Sequence, residues 1–193
     1  MRKILLAVVV ATALAWSVGP AIAQEAAQGK APAKAPAPAR GPADEVLATW
    51  NGAGRQLIEM AEDFPEDKYD FKPKPEVRTF AEQLLHVAGA NYFFTATAKG
   101  EKLGEEDLPR EKYKTKADVV AAVKKSFADG ATVIKEKGDA GMAQEVKHPF
   151  GNRMTHLGSL ATDLAMHAGE HYGQLVVYYR VNGLVPPASR PRK

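Results

Sequence analysis

From Asp44 onward, apolar residues recur at three- and four-residue steps, and breaks in that rhythm divide the chain into four helical segments. Val46, Trp50, Ala53, Leu57 and Ala61 trace the stripe of a first helix, which Phe64-Pro65 ends. Thr79 with Glu82 forms a capping box for a second helix, where Phe80, Leu84, Val87, Asn91 and Thr95 share one face before Lys99-Gly100. Thr115 with Asp118 repeats the device. Val119, Val123, Phe127 and Ile134 then mark a third helix stopping near Lys137-Gly138. Residues 139–153 are irregular, with a brief extended stretch at 144–147. A fourth helix runs from Thr155 to Val181, with Gly183 and Pro186-Pro187 beyond it. Four amphipathic helices and no sustained strand predict an all-α four-helix bundle, whose long links allow crossovers. Gly158, Gly169 and Gly173 in the last helix predict close helix approach or a cavity, unless they are merely tolerated small residues.

The first 43 residues follow a different logic. Arg2 and Lys3 precede an apolar run from Ile4 to Trp16, Pro20 breaks it, and Ala21-Ile22-Ala23 is an A-x-A cleavage site. Residues 1–23 therefore read as a signal peptide, with Gln24 as the mature start. The apolar run is shorter than the about 20 residues a membrane span needs. The expected destination is periplasmic or secreted, with no stable membrane insertion after cleavage. Residues 24–43, rich in Ala and Pro, read as an extended linker. The folded domain is then expected over 44–187, with a basic tail at 188–193.

Composition narrows the chemistry. The 193 residues are 45% hydrophobic and 25% charged, a globular balance, and include no cysteine. Disulfides, thiolate metal sites and a cysteine nucleophile are thereby excluded, so a metal must be held by His and carboxylates. Removing Arg2 and Lys3 leaves 24 basic against 23 acidic residues with no long basic run, which gives no footprint for nucleic acid.

Five histidines remain. His148, before Pro149, is expected in solvent, and His156 at a surface or capping position. His167 and His171 stand at i, i+4 and project to one side, at chelating distance for one divalent cation or simply as a polar face. Asp163, Gln174 and Tyr178 continue that stripe. A polar stripe facing the bundle interior is costly unless it serves a site. His86 is the lone histidine of the second helix, in the apolar run Leu84-Leu85-His86-Val87-Ala88. It is either a hydrogen-bonded core residue or the third ligand of a catalytic site with one open position. His167-Ala168-Gly169-Glu170-His171 also matches H-x-x-E-H, but residues 172–193 hold no Asp or Glu to complete the protease set. Glu170 either faces solvent or accepts a proton at the site. Asp163 either orients an imidazole or lies on the surface. Trp50, Tyr92 and Phe93 are core aromatics or pocket walls.

Leu85-His86-Val87, the stretch from His167 through His171 to Gly173-Gln174-Leu175, and then Arg180, Gly183 and Pro186-Pro187 together resemble the DinB-like (YfiT-like) family. The resemblance spans about residues 44–187. It implies a four-helix bundle with a long crossover and a divalent metal on His86, His167 and His171. Relatives include thiol-dependent S-transferases using bacillithiol or mycothiol. The expectation is a metal-dependent hydrolase or thiol S-transferase acting on a small-molecule substrate, with a homodimer as its assembly. The alternative is a non-catalytic metal-, ligand- or partner-binding bundle. Zinc is the first choice of metal, with nickel, iron and manganese as the others.

Overall fold

The computed structural model describes residues 40–191; the leader and most of the linker read from the sequence lie outside them. Four helices carry the fold: α1 (Pro42–Asp63), α2 (Phe80–Lys99), α3 (Lys116–Met142) and α4 (Leu157–Val181). α1 begins two residues inside the segment read as linker, because Pro42 at its first turn supplies a helical φ and lacks only an N–H that would have no partner there. Both capping boxes form. Thr79 and Glu82 close the start of α2, Thr115 and Asp118 that of α3, and Gly100 ends α2 in a left-handed conformation. The stop read at Gly138 is a break rather than an end. Its φ of 58° and ψ of −168° interrupt α3, and helical structure resumes to Met142.

Residues 144–156 hold the one departure from all-helical structure among the described residues. β1 (Glu145–Lys147) and β2 (Met154–His156) pair antiparallel, so α4 starts at Leu157 rather than Thr155. Among the described residues, no helix is long and apolar enough to cross a membrane.

α1 rests on α3 and α4, and so does α2, so helices consecutive in sequence lie mainly across diagonals of the bundle. Residues 64–79 make the first diagonal link. The aromatic cluster beneath it anchors that link: Phe64 stacks on Phe80 at 3.8 Å between ring centroids and tilts against Tyr179 at 4.9 Å. Tyr179 Oη donates to the Met60 carbonyl, and Tyr69 Oη to that of Ala61, which satisfies both buried hydroxyls. The chain end adds a strap: Pro187–Ser189 is a short 3₁₀ turn, and Arg190, in the stretch read as a basic tail, donates to both carboxylate oxygens of Asp63.

Sixteen of the 20 residues of α2 are buried, on every face. One apolar stripe is what the sequence predicts. The other faces are covered by β1 and by the link over residues 100–115. Trp50 fills the opposite half of the core against Phe94 and Phe127, and its Nε1 donates to the Phe127 carbonyl at 2.9 Å. The indole lies directly on Gly130, where an added Cβ would stand 2.2 Å from Cζ2. Gly130→Ala should therefore cost about 1–3 kcal/mol by overpacking a ring that a hydrogen bond holds in place. Urea unfolding followed by circular dichroism measures it, and an unchanged midpoint would refute the fit. In α4 the glycines divide: a Cβ at Gly158 would meet Met142 at 3.2 Å, whereas Gly169 and Gly173 face open space.

Candidate metal centre

α2 packs on α4, and the contact brings His86 over the i, i+4 pair His167 and His171. His86 and His171 are buried and His167 is half-buried. Nε2 of His167 lies 3.1 Å from Nε2 of His86 and 3.0 Å from Nε2 of His171. A tetrahedral ion bound at about 2.0–2.1 Å would hold such nitrogens about 3.3 Å apart. Among the described residues this is the one group of three or more His, Asp or Glu side chains whose ligating atoms all converge, here within 4.8 Å of one another. A larger groove of about 710 Å³, lined by Glu45, Asp139 and His156 among others, contains no such group.

The far side of two rings decides which nitrogen is offered. His86 Nδ1 donates to Asp107 Oδ1 at 2.8 Å, and His171 Nδ1 donates to Gln83 Oε1 at 2.6 Å. Both rings then present a lone pair at Nε2, toward the common point. Gln83 is itself fixed, since its amide nitrogen donates to Gln174 Oε1 at 2.9 Å and reaches Tyr178 Oη at 3.4 Å. Tyr178 in turn donates to the Arg78 carbonyl, and Arg78 pairs with Asp107. His167 Nδ1 is buried without a partner among the described residues. Three imidazoles with an open side suit a divalent cation such as zinc.

Electrostatics favour the neutral form of His167 and His171. Burial, and then the approach of His86, lower the pKa of His167, while burial, His167 and His86 push His171 down to about 3. Burial opposes the charge on Asp107, but hydrogen bonds from Arg78 and His86 outweigh it and hold its carboxyl below the usual range.

Asp107 arrives on the link between α2 and α3, and Gly89 sets its place. An added Cβ there would stand 2.0 Å from the Glu106 carbonyl oxygen, so only glycine lets this backbone lie on α2 one turn beyond His86. Glu106 Oε1 then comes to 3.9 Å from His86 Nε2. Beside the centre is a cavity of about 220 Å³, lined by Glu106, His148, Phe150, Leu160, Asp163, Leu164 and His167.

The other candidates fall in different places. Asp163 orients no ligand: its Oδ2 lies 3.7 Å from both His148 Nε2 and the Arg153 guanidinium. Glu170 faces solvent. Gln174 is one step removed, braced on Gln83, and Tyr178 is buried in the network instead of facing a substrate. His148 is not solvated; the turn between β1 and β2 folds it in until it is 6% exposed. Trp50 is core. The residues that sequence reasoning missed are Gln83, Asp107, Glu106 and His148. Gln83 had a signal, a polar residue three before His86 at the start of the apolar run Leu84-Leu85. Asp107 had none, since a loop carries no periodicity.

The match to a family model, described as the DinB superfamily, extends over residues 49–175. The chain belongs to the DinB superfamily. No match to a curated protein was found. Among solved structures, a DinB-like protein from Bacillus cereus ATCC 10987 is similar at 16% identity and a TM-score of 0.63, over 75% of this chain and 95% of that one. The DinB-like protein YjoA of Bacillus subtilis is similar at 19% identity and 0.60, over 77% and 99%. YfiT of Bacillus subtilis, described as a probable metal-dependent hydrolase with an unusual four-helix bundle topology, is similar at 13% and 0.59, over 74% and 88%. These likenesses bear on the fold: this DinB-superfamily chain is a four-helix bundle.

The contribution of Asp107 is measurable. Asp107→Ala should weaken zinc binding about 10- to 100-fold by releasing the His86 ring. Competition titration against a zinc-binding dye gives the number, and unchanged affinity would remove Asp107 from the centre.

Proposed function

We propose that this DinB-superfamily protein is a divalent-metal-dependent hydrolase, with its cation, zinc by first choice, on Nε2 of His86, His167 and His171. The observation that carries the reading is the convergence of three Nε2 atoms at the edge of a cavity, two of them turned there by acceptors behind the rings. The description of YfiT as a probable metal-dependent hydrolase supports it. When bound, the cation supplies Lewis-acid chemistry, polarising a substrate oxygen and making water a competent nucleophile near neutral pH. Asp107 and Gln83 hold the His86 and His171 rings in register. Glu106, in the cavity wall beside His86, accepts the proton that the reaction releases. Leu160, Leu164 and Phe150 exclude bulk water from one side. With the leader read from residues 1–23, the activity is proposed to work outside the cytoplasm.

The test is a panel of esters and amides, run beside a panel of thiol acceptors, with zinc-loaded protein. Hydrolysis should be lost in His167→Ala and fall about 10²- to 10⁴-fold in Glu106→Gln. Zinc binding with no turnover in the ester and amide panel would overturn the hydrolase, and turnover confined to the thiols would make the protein a transferase.

A further inference from the structure

His148 occupies the wall of the 220 Å³ cavity and has no part in the chemistry above. One end of its ring is held by backbone: Nδ1 lies 2.8 Å from the Phe150 carbonyl oxygen and 3.0 Å from the Phe150 amide nitrogen. The other end is not held. Nε2 is buried with no hydrogen-bond partner among the described residues, and Asp163 Oδ2, 3.7 Å away, is beyond hydrogen-bond reach. Buried polar atoms without partners are few in folded proteins, and one in the wall of a cavity is explained by a ligand that completes it. The same cavity reaches His167 of the metal centre. Phe150, Leu160 and Leu164 make the apolar part of its wall, and Phe93 braces Phe150 at 5.3 Å between ring centroids. No Lys or Arg lines it. Its volume corresponds to the liquid share of about seven waters, which is the scale of one ring or a short branched chain.

We propose that this cavity receives a compact apolar group of the substrate, about the size of one aromatic ring, and that His148 Nε2 hydrogen-bonds the polar head joined to it while the head reaches the three histidines. The proposal rests on the metal-centre reading above. The two contacts of Nδ1 exclude each other in a neutral ring. Donation to the Phe150 carbonyl leaves Nε2 an acceptor, and acceptance from the Phe150 amide makes it a donor. His148 thus serves a head with either an N–H or a carbonyl, without turning the ring.

Calorimetric titration of zinc-loaded protein with acetohydroxamate and benzohydroxamate tests this. Benzohydroxamate should bind at least about tenfold more tightly, by the apolar area its ring buries. Leu164→Trp, which fills the cavity, should abolish that gain and leave acetohydroxamate unaffected. Phe150→Trp, on the partly exposed turn, is the second filling variant where the first does not fold. His148→Asn keeps an amide where Nδ1 sits and removes the atom at Nε2. It should weaken both probes about tenfold, the scale of one hydrogen bond, with zinc affinity and Tm unchanged. Absence of zinc binding, or of binding by either hydroxamate, would sink the metal-centre reading and this proposal with it. If zinc and acetohydroxamate bind but the ring adds nothing, or its gain survives the filled cavity, the pocket assignment falls while the centre stands. Wild-type affinity for both probes in His148→Asn overturns the hydrogen bond alone.

Discussion

Zinc at a hundredfold excess over its Kd should raise the Tm of the metal-free protein by about 5–10 °C. A ligand that binds only the native state stabilises it by RT ln(1 + [L]/Kd), about 2.7 kcal/mol at that excess. For a domain of this size each kcal/mol is worth about 2–4 °C. The effect requires His86 on one helix and His167 and His171 on another to share the ion, with the first two separated by 81 positions in sequence. His86→Ala, His167→Ala and His171→Ala should each remove most of the increment. His156→Ala should keep it, since that residue is exposed at the start of α4, away from the centre. Retention of the full increment by His86→Ala would reduce the centre to a surface chelate on α4.

Acid should unfold the metal-free protein from pH 6.5 downward, well before the carboxylates titrate. Folded His171 holds a pKa of about 3 and folded His167 is lowered too, both by burial first, while the unfolded chain keeps the reference value near 6.5. Above 6.5 the groups are neutral in both states and add no pH slope. Below it only the unfolded chain takes up the protons, so the unfolded state gains, and for His171 the loss continues down to about pH 3. Each such histidine contributes at most about 1.4 kcal/mol per pH unit. Urea midpoints at pH 7.5, 6 and 5 should fall steadily for the wild type and less steeply for His171→Asn. A flat profile, or an equal slope in the variant, would show that these imidazoles are not shielded from protons.

What the sequence disclosed was what neighbouring residues decide among themselves. Thr79 with Glu82 and Thr115 with Asp118 are local bonds, so both helix starts were legible to the residue. The i, i+4 spacing of His167 and His171 needed only helical geometry, and His86 was conspicuous as a polar residue in an apolar run. The acceptors behind the rings divide along the same line. Gln83 lies on the helix of His86 and was within reach of pattern reading, whereas Asp107 comes from a link whose course over α2 no periodicity encodes. His148 was misplaced for a related reason. A histidine before proline suggests an exposed loop, and its burial depends on the pairing of Glu145–Lys147 with Met154–His156, a hairpin of which the sequence shows only the first strand. The all-round burial of α2 likewise arises from what is laid upon it.

The contact at Gly89 also governs time. A side chain covering a buried ion can swing aside by changing rotamer, in nanoseconds where it is exposed. The Glu106 carbonyl against the Gly89 backbone has no rotamer to change. Uncovering His86 on that side means detaching a stretch of main chain, and Glu106 and Asp107 depart with it, along with the pairing to Arg78. Such segmental openings belong to the microsecond-to-second range. Passage of an ion past His86, as against the open side of the centre, would therefore wait on the backbone of residues 100–115.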